Sequence, residues 1–142
     1  TKRKIENIIS AMPKDSIVKL TCHRRRGFVK REENENCVTF GRYLCGPQAS
    51  AAAYLISSSA AEKFSQKFAK MTMPFDRTLE EGWRTNINVL NVDRNIFEFG
   101  NSGSTINIAG GYRKSKFFPL FRVPSYLRSA YDNIARMIYA YI

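Results

Sequence analysis

The chain has 142 residues, of which 44% are hydrophobic and 25% charged. These proportions are typical of one folded domain and exclude a disordered or fibrous chain. The longest uncharged stretch, residues 43–61, contains Gly46, Pro47 and four serines and is too polar to span a membrane. The formal net charge of +11 favours a polyanionic partner such as nucleic acid, anionic lipid or a phosphorylated sugar.

The charges are concentrated at the two ends of the chain. Residues 1–31 hold 10 basic and 2 acidic side chains, and residues 101–142 hold 6 and 1, whereas the middle holds 7 and 9. The three cysteines, Cys22, Cys37 and Cys45, are odd in number and form no C-x-x-C pair. This pattern favours a reducing compartment, and hence a cytoplasmic location, over a disulfide scaffold. Their spacing with His23 matches no common zinc module, so no metal is expected on this chain.

The first half of the chain alternates between short helical and extended patterns. Ile5, Ile8 and Ile9 recur at helical spacing before Pro13, which predicts a helix over 3–12. The β-branched run 16–21 predicts a strand, and the arginine-rich stretch after it predicts a basic loop. The further elements predicted here are a continuation of that loop over 32–36 and strands over 37–40 and 51–56.

In the second half, Ser59 and Glu62 form a capping-box pattern that predicts a helix to about residue 70, with Ala61, Phe64, Ser65 and Phe68 inward. A short helix is predicted from Asp76 to about residue 84, then strands over 87–92 and 96–99, and loops over 100–105 and 110–111. The terminal segment, from Ser125, predicts an amphipathic helix. Strands that alternate with helices predict an α/β fold.

No motif identifies an enzyme by spacing alone. His23 is the only histidine, and the 100–105 loop lacks the lysine of a phosphate-binding loop. The strongest catalytic candidate is Asp76, which follows Pro74 at a predicted helix start near Trp83, predicted to be exposed. A carboxylate in this setting suits a general base acting on a sugar hydroxyl. The alternative is that Asp76 is a helix cap.

The order of several motifs is more informative than any one of them. A small-residue strand ends in Tyr54-Leu55-Ile56-Ser57, an alanine-containing helix follows, then Pro74-x-Asp76, and later Ser104-Thr105-Ile106. Over roughly residues 14–108, this order resembles the C-terminal half of glycosyltransferase family 25. Those enzymes extend lipopolysaccharide and lipooligosaccharide cores.

The resemblance implies a partial GT-A-like mixed sheet with flanking helices and a C-terminal amphipathic helix. It divides the chain into an acceptor-side part of a glycosyltransferase domain, 1–112, and a basic aromatic tail and helix, 113–142. It also implies a hexosyltransferase, most simply a galactosyltransferase, with a UDP-sugar donor, a glycolipid acceptor and a divalent Mn or Mg ion in the intact enzyme. Asp76 would be the base or an acceptor hydrogen-bonding group.

Acceptor-binding roles are expected for the residues around that aspartate: Arg77, Glu80, Glu81 and Trp83. The alternative for Glu80 and Glu81 is a solvated helix face. The sequence departs from the family at Asn91-Val92, where a proline is usual, and it has no Glu-Asp-Asp-type motif for the donor's metal. We therefore expect this chain alone to be inactive.

A non-catalytic basic module that binds nucleic acid or an anionic membrane is the second hypothesis. Arg24, Arg25 and Arg26 could contact phosphates, but Phe28 is the only aromatic residue near them and no nucleic-acid-binding signature is present, so specific nucleic-acid binding is not favoured.

The C-terminal segment combines cations, including Lys114, Lys116 and Arg122, with many aromatic residues. This composition favours peripheral attachment to the cytoplasmic face of the inner membrane. The alternative is that the helix docks its apolar stripe on the protein's own core through Leu127, Ile134 and Ile138.

Overall fold

The computed structural model describes residues 2–22, 26–33, 38–46, 51–67, 73–97 and 122–142. In those ranges it has an α/β fold, as predicted. The helices are α1 (Lys2–Ala11), α2 (Ser58–Lys67), α3 (Phe75–Thr78), α4 (Gly82–Thr85) and α5 (Val123–Tyr141). The strands are β1 (Ser16–Lys19), β2 (Arg26–Glu33), β3 (Thr39–Cys45), β4 (Tyr54–Ile56) and β5 (Asn88–Val92).

The five strands form one mixed sheet in the order β2-β3-β5-β1-β4. Strand β1 runs parallel to β5, with Ile17 opposite Val89, and antiparallel to β4. Strand β3 pairs antiparallel with both β2 and β5. The parallel pair lies inside the sheet, where both of its faces can be covered.

Neighbouring residues of β1 enter two separate hydrophobic clusters because side chains alternate across a strand. Val18 packs with Ile8 of α1 and with Leu90, whereas Ile17 packs with Ala60 of α2 and with Leu79. Helix α1 thus covers one cluster, while α2 and the segment after α3 cover the other. The helix predicted over 3–12 is confirmed as α1, and its buried residue is Ile8.

Strand β2 contradicts the predicted loop at both of its ends. Arg26 and Gly27, expected in the basic loop, and Glu32 and Glu33, expected in its continuation, all lie in the strand. The reason is cross-strand pairing: β2 forms an antiparallel hairpin with β3, and the Phe28 ring lies 5.2 Å from that of Tyr43. Because β2 is an edge strand with mostly exposed side chains, its composition carries little strand signal.

The other predicted strands also differ in extent: the strand expected over 16–21 is β1, which ends at Lys19, and the strand expected over 87–92 is β5, which begins at Asn88. The strand expected over 37–40 is β3, which begins at Thr39 and continues to Cys45. The strand expected over 51–56 is limited to β4, where three residues pair with β1. Ile96 and Phe97 are not in a strand; the Ile96 amide instead donates to the Leu20 carbonyl at 2.9 Å. Residues 98 and 99 lie outside the described ranges.

The helix starts also differ in detail. Helix α2 is capped by Ser57 rather than Ser59: the Ser57 hydroxyl accepts a hydrogen bond from the Ala60 amide at 3.3 Å. Ala60 and Phe64 face inward, whereas Ser65 is exposed. The helix predicted from Asp76 is two short helices, α3 and α4. Helix α4 ends at Thr85, and the next residue, Asn86, forms its C-terminal cap with a left-handed backbone (φ 57°).

Helix α5 is confirmed, but the side chains that it turns toward the protein are mostly polar, whereas an ordinary amphipathic helix buries its apolar side chains. Its buried residues are Asp132, Arg136 and Ala140. The apolar stripe faces outward, with Leu127, Ile134 and Ile138 between 56% and 67% exposed. Docking of that stripe on the protein's own core is therefore wrong. Several predicted features lie outside the described ranges: residues 23–25 and 34–36 of the predicted loop, the end of α2 beyond residue 67 with Phe68, and the loops over 100–105 and 110–111.

Candidate functional site

A buried ion network holds the segment that joins α3 to α4. The Glu80 carboxylate lies 3.1 Å from the Lys19 ammonium through Oε1 and 3.1 Å from the Arg136 guanidinium through Oε2. The side chains of Lys19 and Glu80 are 0% and 2% exposed. Such a cluster requires complete pairing, because an uncompensated charge in a low-dielectric interior is costly. The network therefore ties β1, the α3–α4 segment and α5 together.

Glu81 is buried as well, and its Oε2 lies 2.6 Å from Nη1 of Arg84. The alternative in which Glu80 and Glu81 form a solvated helix face is wrong, since both side chains are enclosed. Their position indicates that they support the local backbone.

Asp76 lies in the first turn of α3, directly after the Pro74-Phe75 pair. Its Oδ1 accepts a hydrogen bond from the Arg77 amide at 2.9 Å, and the side chain is half-buried. Pro74 occupies the cap position without a side-chain bond, so Asp76 is not the N-cap residue. Among the described residues, Asp76 forms no ion pair. The carboxylate is thus oriented by one amide and is accessible from solvent.

Arg77 connects the same helix to α5. Its Nη2 lies 3.3 Å from Oδ2 of Asp132, and Arg128 Nε lies 4.0 Å from the same oxygen. Arg77 is therefore engaged in packing, next to the Asp76 carboxylate.

Trp83 is half-buried, not exposed as predicted. Its ring meets the Tyr139 ring edge to face at 5.9 Å, and the Arg136 guanidinium lies 5.4 Å from its centroid. The indole Nε1 is buried and has no hydrogen-bond partner among the residues that the structure describes. Trp83 also lines a cavity of about 650 Å³ between α5 and the α4–β5 segment.

Tyr139 and Arg42 belong to this region, and reasoning from the sequence missed both. The Tyr139 hydroxyl donates to the Ile87 carbonyl and accepts from the Val89 amide, each at 2.8 Å. Gly82 permits the approach, because a Cβ at that position would overlap the Tyr139 hydroxyl. The Arg42 guanidinium stacks 3.8 Å above the Tyr139 ring. The one signal for Tyr139 is its position in α5 next to Ala140 and three residues after Arg136, both of which are buried.

Of the basic residues proposed for anion binding, the structure describes only Arg26 and Arg122. Arg26 is exposed on β2, and Arg122 at the start of α5 lies 5.4 Å from the Tyr126 ring. Arg24, Arg25, Lys114 and Lys116 lie outside the described ranges.

Within the described part of the chain, no group of three or more His, Cys, Asp or Glu side chains could hold a metal. Cys22 is buried, with its thiol 3.0 Å from Oδ1 of Asn91, and Cys45 is exposed. No helix in the same ranges is long and apolar enough to cross a bilayer.

Comparison of the chain with protein-family models, curated proteins and solved structures finds no match.

Proposed function

We propose that this chain is the acceptor-side part of a sugar-nucleotide-dependent glycosyltransferase, a galactosyltransferase of lipopolysaccharide or lipooligosaccharide core assembly with a GT-A-like sheet. The proposal rests on the motif order described above. One structural observation supports it. The ion pairs of Glu80 with Lys19 and Arg136 hold the segment from Asp76 to Trp83 in place, while Asp76 itself stays partly exposed. A fixed segment that presents a carboxylate and an aromatic ring suits the positioning of a sugar.

In the proposed reaction, Asp76 accepts the proton of an acceptor hydroxyl as that oxygen attacks the anomeric carbon of the donor sugar. The bond between that carbon and the nucleoside diphosphate breaks, and the diphosphate leaves with the electron pair. The Arg77 amide orients the Asp76 carboxylate through its 2.9 Å hydrogen bond. The divalent ion that the resemblance implies has no ligand set among the described residues, and we assign no step to it.

The test is Asp76→Asn in a protein that joins this chain to a donor-binding half. Loss of a general base should lower kcat by about a hundredfold or more with a small change in Tm. Asp93→Asn is the matched control, because Asp93 is also a partly exposed carboxylate and its ion-pair contact with Arg94 is long, at 3.9 Å. Unchanged kcat in Asp76→Asn would remove Asp76 from the mechanism.

The exposed face of α5 favours one further assignment, attachment to the cytoplasmic face of the inner membrane. Leu127 and Tyr141, which do not line the cavity beside Trp83, lie on an uncharged face of the helix and are 67% and 66% exposed. Arg122 and Arg128 lie near the start of the same helix. Apolar and tyrosine side chains flanked by arginine are suited to the headgroup boundary of an anionic bilayer. Peripheral attachment would bring the enzyme to a lipid-borne acceptor.

A further inference from the structure

The cavity beside Trp83 has the size and composition of a ligand site. Its volume of about 650 Å³ falls within the range typical of pockets for small ligands. One wall is α5, which contributes Tyr131 and Ile134, and the opposite wall is the α4–β5 segment. Polar groups reach the cavity from several elements, in particular Arg42, Asn86 and Asn88. Apolar walls with a few converging polar groups are the usual arrangement for binding an organic molecule.

Arg42 brings a positive charge to the cavity, and the carboxylate of Asp15, which also lines it, is paired with the Lys63 ammonium at 2.9 Å. Its Nη1 donates to the Tyr139 carbonyl and its Nη2 donates to Oδ1 of Asn88 at 2.7 Å, both uncharged acceptors. Within the described ranges, Arg42 forms no ion pair with a carboxylate. A guanidinium keeps its charge under physiological conditions and matches the geometry of phosphate and carboxylate groups. The cavity is therefore electrostatically suited to an oxyanion.

The remaining lining residues are suited to a sugar ring. Trp83 is the only tryptophan of the chain, and aromatic side chains pack well against the C–H faces of pyranoses. Asn86 and Asn88 carry amides that can both donate to and accept from sugar hydroxyls.

We propose that the cavity binds a saccharide that carries an oxyanion, either phosphate or carboxylate, with the anion at Arg42 and the sugar ring beside Trp83. This inference rests on the proposed function: Asp76 does not line the cavity, so the cavity takes a charged sugar of the acceptor other than the sugar whose hydroxyl Asp76 deprotonates. It adds Arg42, Asn86 and Asn88 to the acceptor-binding residues.

Trp83 makes the proposal directly measurable on the 142-residue chain, because its fluorescence comes from the cavity alone. The probes are glucose 6-phosphate, glucuronate, methyl α-glucoside, inorganic phosphate and UDP-galactose. We expect at least one of the two charged sugars to change the emission saturably, with a Kd roughly tenfold or more below that of the neutral glucoside. The stronger of the two identifies the anion as phosphate or carboxylate.

The variants test whether the charge at Arg42 is responsible. Arg42→Gln should remove the preference for the charged sugar, whereas Arg94→Gln, the same change at an exposed site outside the cavity, should leave it intact. Arg42→Lys keeps the charge but loses the planar fork, so it should retain part of the preference. Circular dichroism confirms that each variant is folded, and the comparison of probes on the unaltered chain needs no variant.

Several results would overturn the proposal. These are equal affinity for charged and neutral sugars, no response to any probe, phosphate alone binding as well as the charged sugars, or a response to UDP-galactose only. The titration requires no sugar transfer. If the chain binds a charged sugar but the protein joined to a donor-binding half transfers no sugar, the proposed function is contradicted. If that joined protein transfers sugar but the chain binds none of the probes, only the acceptor site is contradicted.

Discussion

Arg136 on α5 lies 3.1 Å from Glu80, and the same carboxylate pairs with Lys19 at 3.1 Å through its other oxygen. One anion therefore serves two buried cations that come from opposite ends of the chain. The Arg136 guanidinium also lies 5.4 Å from the Trp83 ring centroid. Through these contacts, the charge network positions both the backbone after Asp76 and the aromatic wall of the cavity.

We expect Glu80→Gln to lower the free energy of unfolding by about 3–5 kcal/mol, because it leaves Lys19 and Arg136 buried without their counter-charge. Urea denaturation measures the change. Glu62→Gln is the matched control: Glu62 is exposed on α2, and its effect should stay within about 0.5 kcal/mol. Equal stability of the two variants would mean that the network contributes nothing.

We expect Tyr139→Phe to cost about 1–3 kcal/mol at neutral pH, since the Val89 amide and the Ile87 carbonyl lose their partner. Tyr126→Phe, at an exposed site on the same helix, is the control and should be nearly neutral. Denaturation at pH 7 compares the two.

Tyr139 should also affect alkaline stability. Burial raises the pKa of Tyr139 above its ordinary value. A phenol that stays neutral in the folded state stabilises it below the unfolded pKa of about 10, and this stability is lost as the pH rises towards the folded pKa. The decline of stability above about pH 10 should therefore be shallower in Tyr139→Phe. An unchanged slope would show that Tyr139 does not contribute to it.

The exposed face of α5 predicts binding to anionic vesicles. The double variant Leu127→Glu with Tyr141→Glu should reduce vesicle sedimentation by about tenfold or more, since it places two charges on the apolar face. Ser125→Glu with Ser129→Glu changes the net charge equally at exposed positions of the same helix and should have a smaller effect. Equal loss in both variants would indicate purely electrostatic attraction, and no sedimentation of the unaltered chain would contradict membrane attachment.

We expect the 142-residue chain alone to transfer no sugar from UDP-galactose, because it has no acidic run of the Glu-Asp-Asp type to hold the donor's metal. Release of UDP in the presence of a saccharide acceptor measures this. Sustained turnover by the isolated chain would overturn its assignment as the acceptor-side part.

The sequence predicted those elements whose apolar or β-branched residues are buried. Helix α1 and the parallel strands β1 and β5 carry apolar runs that match their packing. Strand β2 was missed because its stability comes from pairing with β3 while most of its side chains face solvent. A hydrophobic pattern in the sequence indicates which residues are buried. An edge strand of exposed, charged residues carries little such pattern.

The site was predicted only where its residues are close in sequence. Asp76, Glu80 and Trp83 stand within one short segment, so a motif could indicate them. Arg42 and Arg136 join them through contacts across β3 and α5, which no local pattern records. The apolar stripe of α5 was correctly located, but the direction it faces is set by the buried Asp132 and Arg136, which pair with Arg77 and Glu80.

The network around Glu80 has a consequence for how the chain reaches its folded state. Lys19 precedes Glu80 by 61 positions and Arg136 follows it by 56, so the network is complete only when two distant segments have both reached Glu80. Until α5 docks, one buried cation is missing and the α3–α4 segment lacks its cover. Non-local contacts of this kind slow folding. A shortened chain without α5 would therefore lose more than a surface for lipids, because the Lys19–Glu80 pair would keep its charge balance but lose the hydrogen bond from Arg136 and the cover of α5.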